Sequence, residues 1–327
     1  KDGTPITGAT SSSYSIASVS ESDAGQYDVV VTAGVCVSSL TSTAATLTVN
    51  TLPAITSQPS SATVCPGQGA TFSVVATGTS LTYQWRKKGA AISGATSSTY
   101  TISSVTASHA GNYTVVVSGA CTPAVTSAVA TLSVPVPLSI GSQPRALTLC
   151  AGSKAMFTVA VSGTSPAYQW RKNGTAIAGA TSATYTINSV VAADAGNYDV
   201  VVTNTCGSVT SVAVALVVPA PASITSDPTD QTVCEGQFAS FSVAGAGAGV
   251  TYQWRRNGKA LADGRGVTGA RKATMTLLAG AGMDGDIDVV LRGTCGASAT
   301  SEAARLTVNT KPKITVEPVA KTVCQGA

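Results

Sequence analysis

Apolar and polar residues alternate in short runs along this chain, and turn-forming residues separate the runs. Within 70–76, Phe72 and Val74 fall on one side; within 82–86, Tyr83 and Trp85 do. Tyr100 and Ile102 align in 99–102, as do Tyr113, Val115 and Val117 in 113–117. Alternation with a period of two turns one face of an extended strand toward a core and the other toward water. These runs therefore predict strands of antiparallel sheets with one buried face. Residues 126–134 are expected to supply the last strand. Pro66–Gly69, Lys88-Gly89, Ser93-Gly94 and Ala110-Gly111 mark the turns between them. No apolar run approaches the 18 or more residues of a membrane span.

The pattern is periodic. Tyr-Gln-Trp-Arg recurs at Tyr83–Arg86, Tyr168–Arg171 and Tyr252–Arg255. One cysteine series keeps step with it (Cys65, Cys150, Cys234, Cys324), and so does a second (Cys36, Cys121, Cys206, Cys295). Proline-bearing linkers punctuate the repeats at Leu52-Pro53, Pro135-Val136-Pro137, Pro219-Ala220-Pro221 and Lys311-Pro312. The boundaries expected are a partial repeat at 1–50, repeats at 51–134, 135–218 and 219–309, and the start of another at 310–327. The first partial repeat begins after its tryptophan and the last stops soon after its first cysteine, so further repeats are expected in both directions. A period of roughly 85 residues holding about seven strands suits a β-sandwich.

These motifs carry a resemblance. A tryptophan followed by Asp-Ala-Gly-x-Tyr resembles the intermediate set of the immunoglobulin superfamily. Asp23–Tyr27 and Asp194–Tyr198 match in full, and His109–Tyr113 matches except at the acid. Thr63-Val64-Cys65-x-Gly67, Tyr168–Gly174 and Asp194–Val202 are similar to bacterial immunoglobulin-like repeats of large secreted or cell-surface proteins, often adhesins. The resemblance implies an all-β chain of tandem immunoglobulin-like antiparallel sandwiches, three complete and two partial, in an extended array. It implies a tyrosine corner at Tyr27, Tyr113 and Tyr198, whose hydroxyl bonds back to the chain. In 219–309 the corner position is Ile287. The span from Trp254 to Cys295 is 41 residues against 36 in the two repeats before it, with the extra residues around Asp263–Lys272. The same sandwich with a longer loop and a weaker corner is expected there.

The cysteines do not sit where antibody-like domains place their core disulfide, since valines 74 and 115 occupy those positions. Cys65 precedes the A–B turn and Cys121 lies in the F–G turn. These turns are at opposite ends of a sandwich, about 23 Å apart for a seven-residue strand, whereas a disulfide spans Cα atoms up to about 7 Å apart. Pairing between neighbouring repeats is favoured, Cys65 with Cys206 and Cys150 with Cys295. Cys36 and Cys121 would then pair with earlier repeats, and Cys234 and Cys324 with later ones. The alternative is pairing within each repeat: Cys65–Cys121, Cys150–Cys206 and Cys234–Cys295. Either scheme implies an oxidising compartment, extracellular or at a cell surface.

Candidate chemistry is sparse. Eight cysteines form no C-x-x-C pair and His109 is the single imidazole, so no metal ligand set, cofactor or catalytic group is assigned. His109 reads as a solvent-exposed replacement for an acid. Asp284, Asp286 and Asp288 alternate like calcium-loop acids, but Cys295 stands where the closing glutamate belongs, and a solvated strand edge is preferred. A basic cluster follows each tryptophan (Arg86-Lys87-Lys88, Arg171-Lys172, Arg255-Arg256) and reads as a solvated hairpin or as a periodic basic stripe. A net charge of +4, spread thinly, makes no case for nucleic acid.

Three readings of function follow. The first is a structural stalk or fibre segment of a large exported bacterial surface protein, with the neighbouring repeats of the same chain as partners. The second is a self-assembling filament, with copies of itself as partners. The third is an adhesive module for an acidic glycan or a protein of a host or cell surface, using the basic stripe or the loop at Asp263–Lys272. An enzyme is not expected.

Overall fold

The computed structural model describes residues 1–327 except Val35, Cys324 and Ala327, together with the side chains of Cys36 and Val37. Every regular element among the described residues is a strand or a single 3-10 turn. The reason is visible in the burial pattern. Ala70–Ser73 and Ala130–Ser133 alternate buried and exposed, and Gly111–Ser118 buries Tyr113, Val115 and Val117 in succession. Each strand thus has one apolar face, and two sheets must close on each other to hide it.

The chain divides into two compact units. One comprises Lys1–Ser139, Ser162–Pro166 and Thr203–Gly207; the other comprises Ile140–Val161, Ala167–Val202 and Ser208–Ala327.

In the first unit, Thr82–Lys87 pairs antiparallel with Gly111–Ser118 so that Trp85 lies across from Val115. Ala130–Ser133 extends this sheet, and Ala62–Thr63 joins its edge in parallel. The opposing strands are Ala70–Ser73 and Thr99–Ile102. Phe72, Val74, Trp85, Val105, Tyr113, Val115, Val117 and Leu132 fill the space between. Val74 and Val115 are both in this core, which therefore holds no cystine. The indole Nε1 of Trp85 donates to Ser97 O at 2.9 Å, so the ring buries its apolar area without stranding its one donor. The expected last strand is two pieces, Val125–Thr126 and Ala130–Ser133. Between them Ser127 turns its hydroxyl inward, accepting from Val115 N at 3.0 Å and donating to Ala128 O at 2.9 Å. Residues 1–50 form two strand pairs, Gly25–Tyr27 with Ala45–Leu47 and Val30–Ala33 with Cys36–Thr41.

The second unit repeats the arrangement. Phe157, Trp170, Tyr198, Val200, Val202 and Leu216 form one buried set, and Phe241, Trp254, Met275, Leu277, Ile287, Val289, Leu291 and Leu306 form another. In 219–309 the longer loop adds a strand, Val267–Thr268, against Thr276–Leu277. At the corner of 219–309 the tyrosine bond is replaced by other contacts. Ile287 is fully buried, Asp284 accepts from Val308 N at 2.9 Å, and Arg256 donates to Met283 O at 3.1 Å.

Candidate functional site

Among the described residues, Cys65, Cys150 and Cys234 of the first series each sit on a tight turn. Gln68 N donates to Cys65 O and Ser153 N to Cys150 O, both at 3.1 Å. Gly67 and Gly152 take φ of +85° and +87° there, open to glycine and strained for other residues. Gly67 N donates to Val105 O and Gly152 N to Val190 O, both at 2.8 Å, so the turn is fastened to the core.

Cys121, Cys206 and Cys295 of the second series follow the long strands Gly111–Ser118, Gly196–Asn204 and Gly285–Arg292. Cys206 comes after Gly196–Asn204, and its N–H donates to Asn204 Oδ1 at 2.8 Å. Cys295 is buried, with a relative exposure of 8%. In the structure Cys65 is joined to Cys206, with Cα atoms 5.5 Å apart, and Cys150 to Cys295, with Cα atoms 5.3 Å apart. Each bridge connects the A–B turn of one repeat to the F–G turn of the next. Cys65–Cys121, Cys150–Cys206 and Cys234–Cys295 are not formed; Cys121 and Cys234 are free thiols. Cys324 and the side chain of Cys36 lie outside the described residues.

The linkers before the three tryptophan-bearing repeats are each tied by hydrogen bonds to the repeat that follows. Thr51 N donates to Thr79 Oγ1 at 2.9 Å, and Val136 N to Thr164 Oγ1 at 2.8 Å. Thr164 N returns a bond to Val136 O at 3.1 Å, and Asn204 Nδ2 reaches both Val136 O and Thr164 O, at 3.2 and 3.1 Å. In 219–309 Ala248 N donates to Ala220 O at 3.1 Å. Gly163 and Gly247 make this approach fit. A Cβ on either would meet the linker at 2.9 Å (Pro137 O) and 2.7 Å (Pro221 O). These residues escape sequence reading except as a recurring glycine after each second-strand run (Gly78, Gly163, Gly247).

Two arginines of the basic stripe are held in ion pairs. Arg171 holds Asp199 through Nε at 2.9 Å and a second nitrogen at 2.6 Å, and Arg255 holds Asp288 in the same two-pronged way. The hydrogen bonds that each arginine donates to its aspartate raise the arginine pKa further, so these charges are spent in pairs. Lys87 and Lys172 donate to Ser108 O and Ala193 O. Arg86 alone of the three arginines faces a neutral partner, Thr114. The aspartate triplet is likewise committed: Asp284 to Val308 N, Asp286 to Arg305 at 3.0 Å, Asp288 to Arg255. No group of three metal-ligating side chains occurs among the described residues. His109 is half-buried rather than solvent-exposed. Its Nδ1 accepts from Thr106 N at 2.9 Å, as Asp23 and Asp194 accept from Ser20 N and Val191 N at 2.8 Å.

Comparison with known proteins agrees with this geometry. The model of the immunoglobulin domain matches residues 53–118, and that of the immunoglobulin I-set domain matches residues 138–217. The chain thus contains immunoglobulin-like domains in tandem. An I-band fragment of titin, domains I67–I69, superposes with a TM-score of 0.63 at 18% identity, covering 79% of this chain and 99% of that one. A variant of the same titin fragment gives 0.61 at 17% identity, covering 80% and 99%. Immunoglobulin domains 1–5 of Sidekick-1 cover 90% of this chain and 68% of their own at 21% identity, with a TM-score of 0.49. At 18% and 17% identity the likeness to the titin fragment speaks to fold alone. A comparison with curated protein sequences finds none that matches.

Proposed function

We propose that this chain is a structural segment of an extracellular stalk or fibre, part of a large exported bacterial surface protein, with the repeats at 51–134, 135–218 and 219–309 as its folding units. The observation that carries the reading is the placement of the two cystines. Cys65–Cys206 and Cys150–Cys295 each cross from one repeat to the next, and neither lies in a sandwich core. A cross-link in that place adds little to the packing of either sandwich. What it restricts is the angle between them, which the hydrogen-bonded, proline-bearing linkers already limit. Cystines also belong to oxidising compartments, which supports an exported location.

The reading assigns Cys121 and Cys234, with Cys36 and Cys324, to the same kind of bridge with further repeats on either side. It requires no catalysis, and domains of this kind are typically structural or adhesive modules. No helix among the described residues is long and apolar enough to cross a membrane.

The test is peptide mapping of the native protein without reduction. Linked Cys65–Cys206 and Cys150–Cys295 peptides are expected. A Cys65–Cys121 peptide would remove the basis for the stiffened junction.

A further inference from the structure

Residues 219–309 differ from the two repeats before them by the longer loop that precedes Thr274–Leu278. This loop runs beside the strand Thr251–Arg256. Trp254 N donates to Ala270 O at 2.9 Å, and its indole Nε1 donates to Lys272 O at 2.8 Å. On its other side the strand pairs with Gly285–Arg292, setting Thr251 across from Arg292, Gln253 from Val290 and Arg255 from Asp288. Successive strand residues point to opposite faces, so these three pairs share the outer face, away from Trp254. An open groove of about 940 Å³ lies over that face, lined by Arg255, Arg271, Lys272 and Arg292 and by no acidic side chain.

Arg255 is neutralised by Asp288. Arg271, Lys272 and Arg292 are exposed and belong to none of the ion pairs among the described residues. The same three places in the other repeats hold hydroxyls. The carbonyl that receives the indole N–H belongs to Ser97 and Ser182, preceded by Thr96 and Thr181. The residue across from Thr82 is Ser118. Three hydroxyls have thus become three cations, in this repeat alone and around one groove. The sandwich does not need them, because it folds in the same way with threonine and serine there. Gathered like charges also repel one another, so they weaken the fold unless an anion joins them.

The geometry points to an anion-binding groove whose ligand is an acidic polysaccharide, with sulfate or carboxylate groups on Arg271, Lys272 and Arg292 and sugar hydroxyls on Thr251 and Gln253. Single-stranded nucleic acid fits less well, because base stacking needs an exposed aromatic platform. Tyr252 is the one aromatic residue lining the groove, and it is half-buried. This inference goes beyond the stalk reading and stands without it.

The test is binding of the whole chain to immobilised heparin, a sulfated chain, and to hyaluronan, a carboxylated one. Retention on at least one is expected, and the preferred one identifies the anion. Retention should weaken as added salt shortens the screening length below about 10 Å. The variant Arg271→Thr/Lys272→Ser/Arg292→Ser, which installs the residues of 51–134, should bind at least about tenfold more weakly, as the loss of three charge-assisted contacts requires. Arg86→Thr removes an exposed arginine elsewhere and should bind like the parent. Near-ultraviolet circular dichroism reports whether the triple variant is folded; if it is not, the loop pair Arg271→Thr/Lys272→Ser is read by the same criterion, with several-fold weakening expected. No retention on either polysaccharide, undiminished binding by the folded variant, or displacement by a single-stranded oligonucleotide at lower concentration than by polysaccharide would each overturn the proposal.

Discussion

The hydroxyl of Tyr198 donates to Asp194 O at 2.8 Å, and Tyr113 and Tyr27 make the same bond to His109 O and Asp23 O. Burial pushes the Tyr198 phenol up to about 12, with the neighbouring Tyr185 and Asp194 adding to the shift, and it raises Tyr113 as well. A phenol whose folded pKa lies above its unfolded value near 10 stabilises the fold fully below that value. The contribution is lost as the pH climbs through about 12. Phenolate absorbance from this tyrosine should therefore appear together with loss of the near-ultraviolet dichroism signal; ionisation of Tyr198 with the fold intact would contradict the burial argument. Ser127 offers a second check. Its replacement by alanine leaves the Val115 amide buried without a partner, a cost of about 1–3 kcal/mol, read from denaturant unfolding. Ser42, Ser211 and Ser301 make the equivalent bonds to Val29, Val200 and Val289, and this recurrence is the sequence signal that would have found them. The capping role of His109 is a clear case of chemistry hidden from sequence. Its position matched an acid, yet only the structure shows Nδ1 taking the place of a carboxylate oxygen. His109→Asp should keep the cap, whereas His109→Leu should lose about 1 kcal/mol in thermal unfolding.

At the level of elements, the hairpin turns show how local chemistry differs between repeats. Lys88, Asn173 and Asn257 all sit at left-handed φ, +48°, +50° and +47°, each before a glycine. Asparagine tolerates that region best among non-glycine residues, and Asn-Gly suits a tight two-residue hairpin. Asn173 and Asn257 also accept a backbone N–H from the neighbouring long strand, from Asn197 at 2.9 Å and Asp286 at 2.8 Å. Lys88 has no acceptor to offer. Lys88→Asn should raise the stability of residues 51–134 by about 0.5–1.5 kcal/mol, and an unchanged unfolding midpoint would show that the turn is already satisfied by water. Strand periodicity was legible because burial of one face leaves a period-two signature. The break at Ser127 and the parallel pairing of Ala62–Thr63 with Ala130–Ser133 were not, since both depend on which strands meet. Thr99–Ile102 and Thr184–Ile187 lie in two-stranded sheets, while Thr274–Leu278 has Val267–Thr268 on its free edge. An open edge is where another chain can pair. Lateral assembly is the reading this favours after the stalk. Under that reading light scattering shows mass rising with concentration, and a constant monomer mass removes it.

For the whole molecule, the cystines and the cores are separate. Phe72, Val74, Trp85 and Val115 close one sandwich by packing alone, without the sulfur bridge that antibody-like domains place there. Reduction should therefore leave the thermal unfolding of each sandwich nearly unchanged. Small-angle scattering of the reduced chain should instead report a wider spread of interdomain arrangements. A large drop in unfolding temperature on reduction, with no change in scattering, would mean that the cystines stabilise domains rather than junctions.

Taken by itself, the sequence determined the strands, the repeat and the fold class. Those properties come from period-two burial, recurring turn residues and a tryptophan in each complete repeat, all of them local in the chain. It also showed that valines, not cysteines, hold the core positions 74 and 115, because their register against Phe72, Trp85 and Tyr113 can be counted. What only the tertiary structure decided is what each side chain meets. Two of the three arginines that read as a basic stripe, Arg171 and Arg255, are claimed by Asp199 and Asp288 on the adjacent strand, whereas Arg271, Lys272 and Arg292, outside every ion pair among the described residues, come together from a loop and a strand twenty residues apart. Charges are legible in sequence, but their neutralisation depends on contact across strands, and contact is a property of the folded chain.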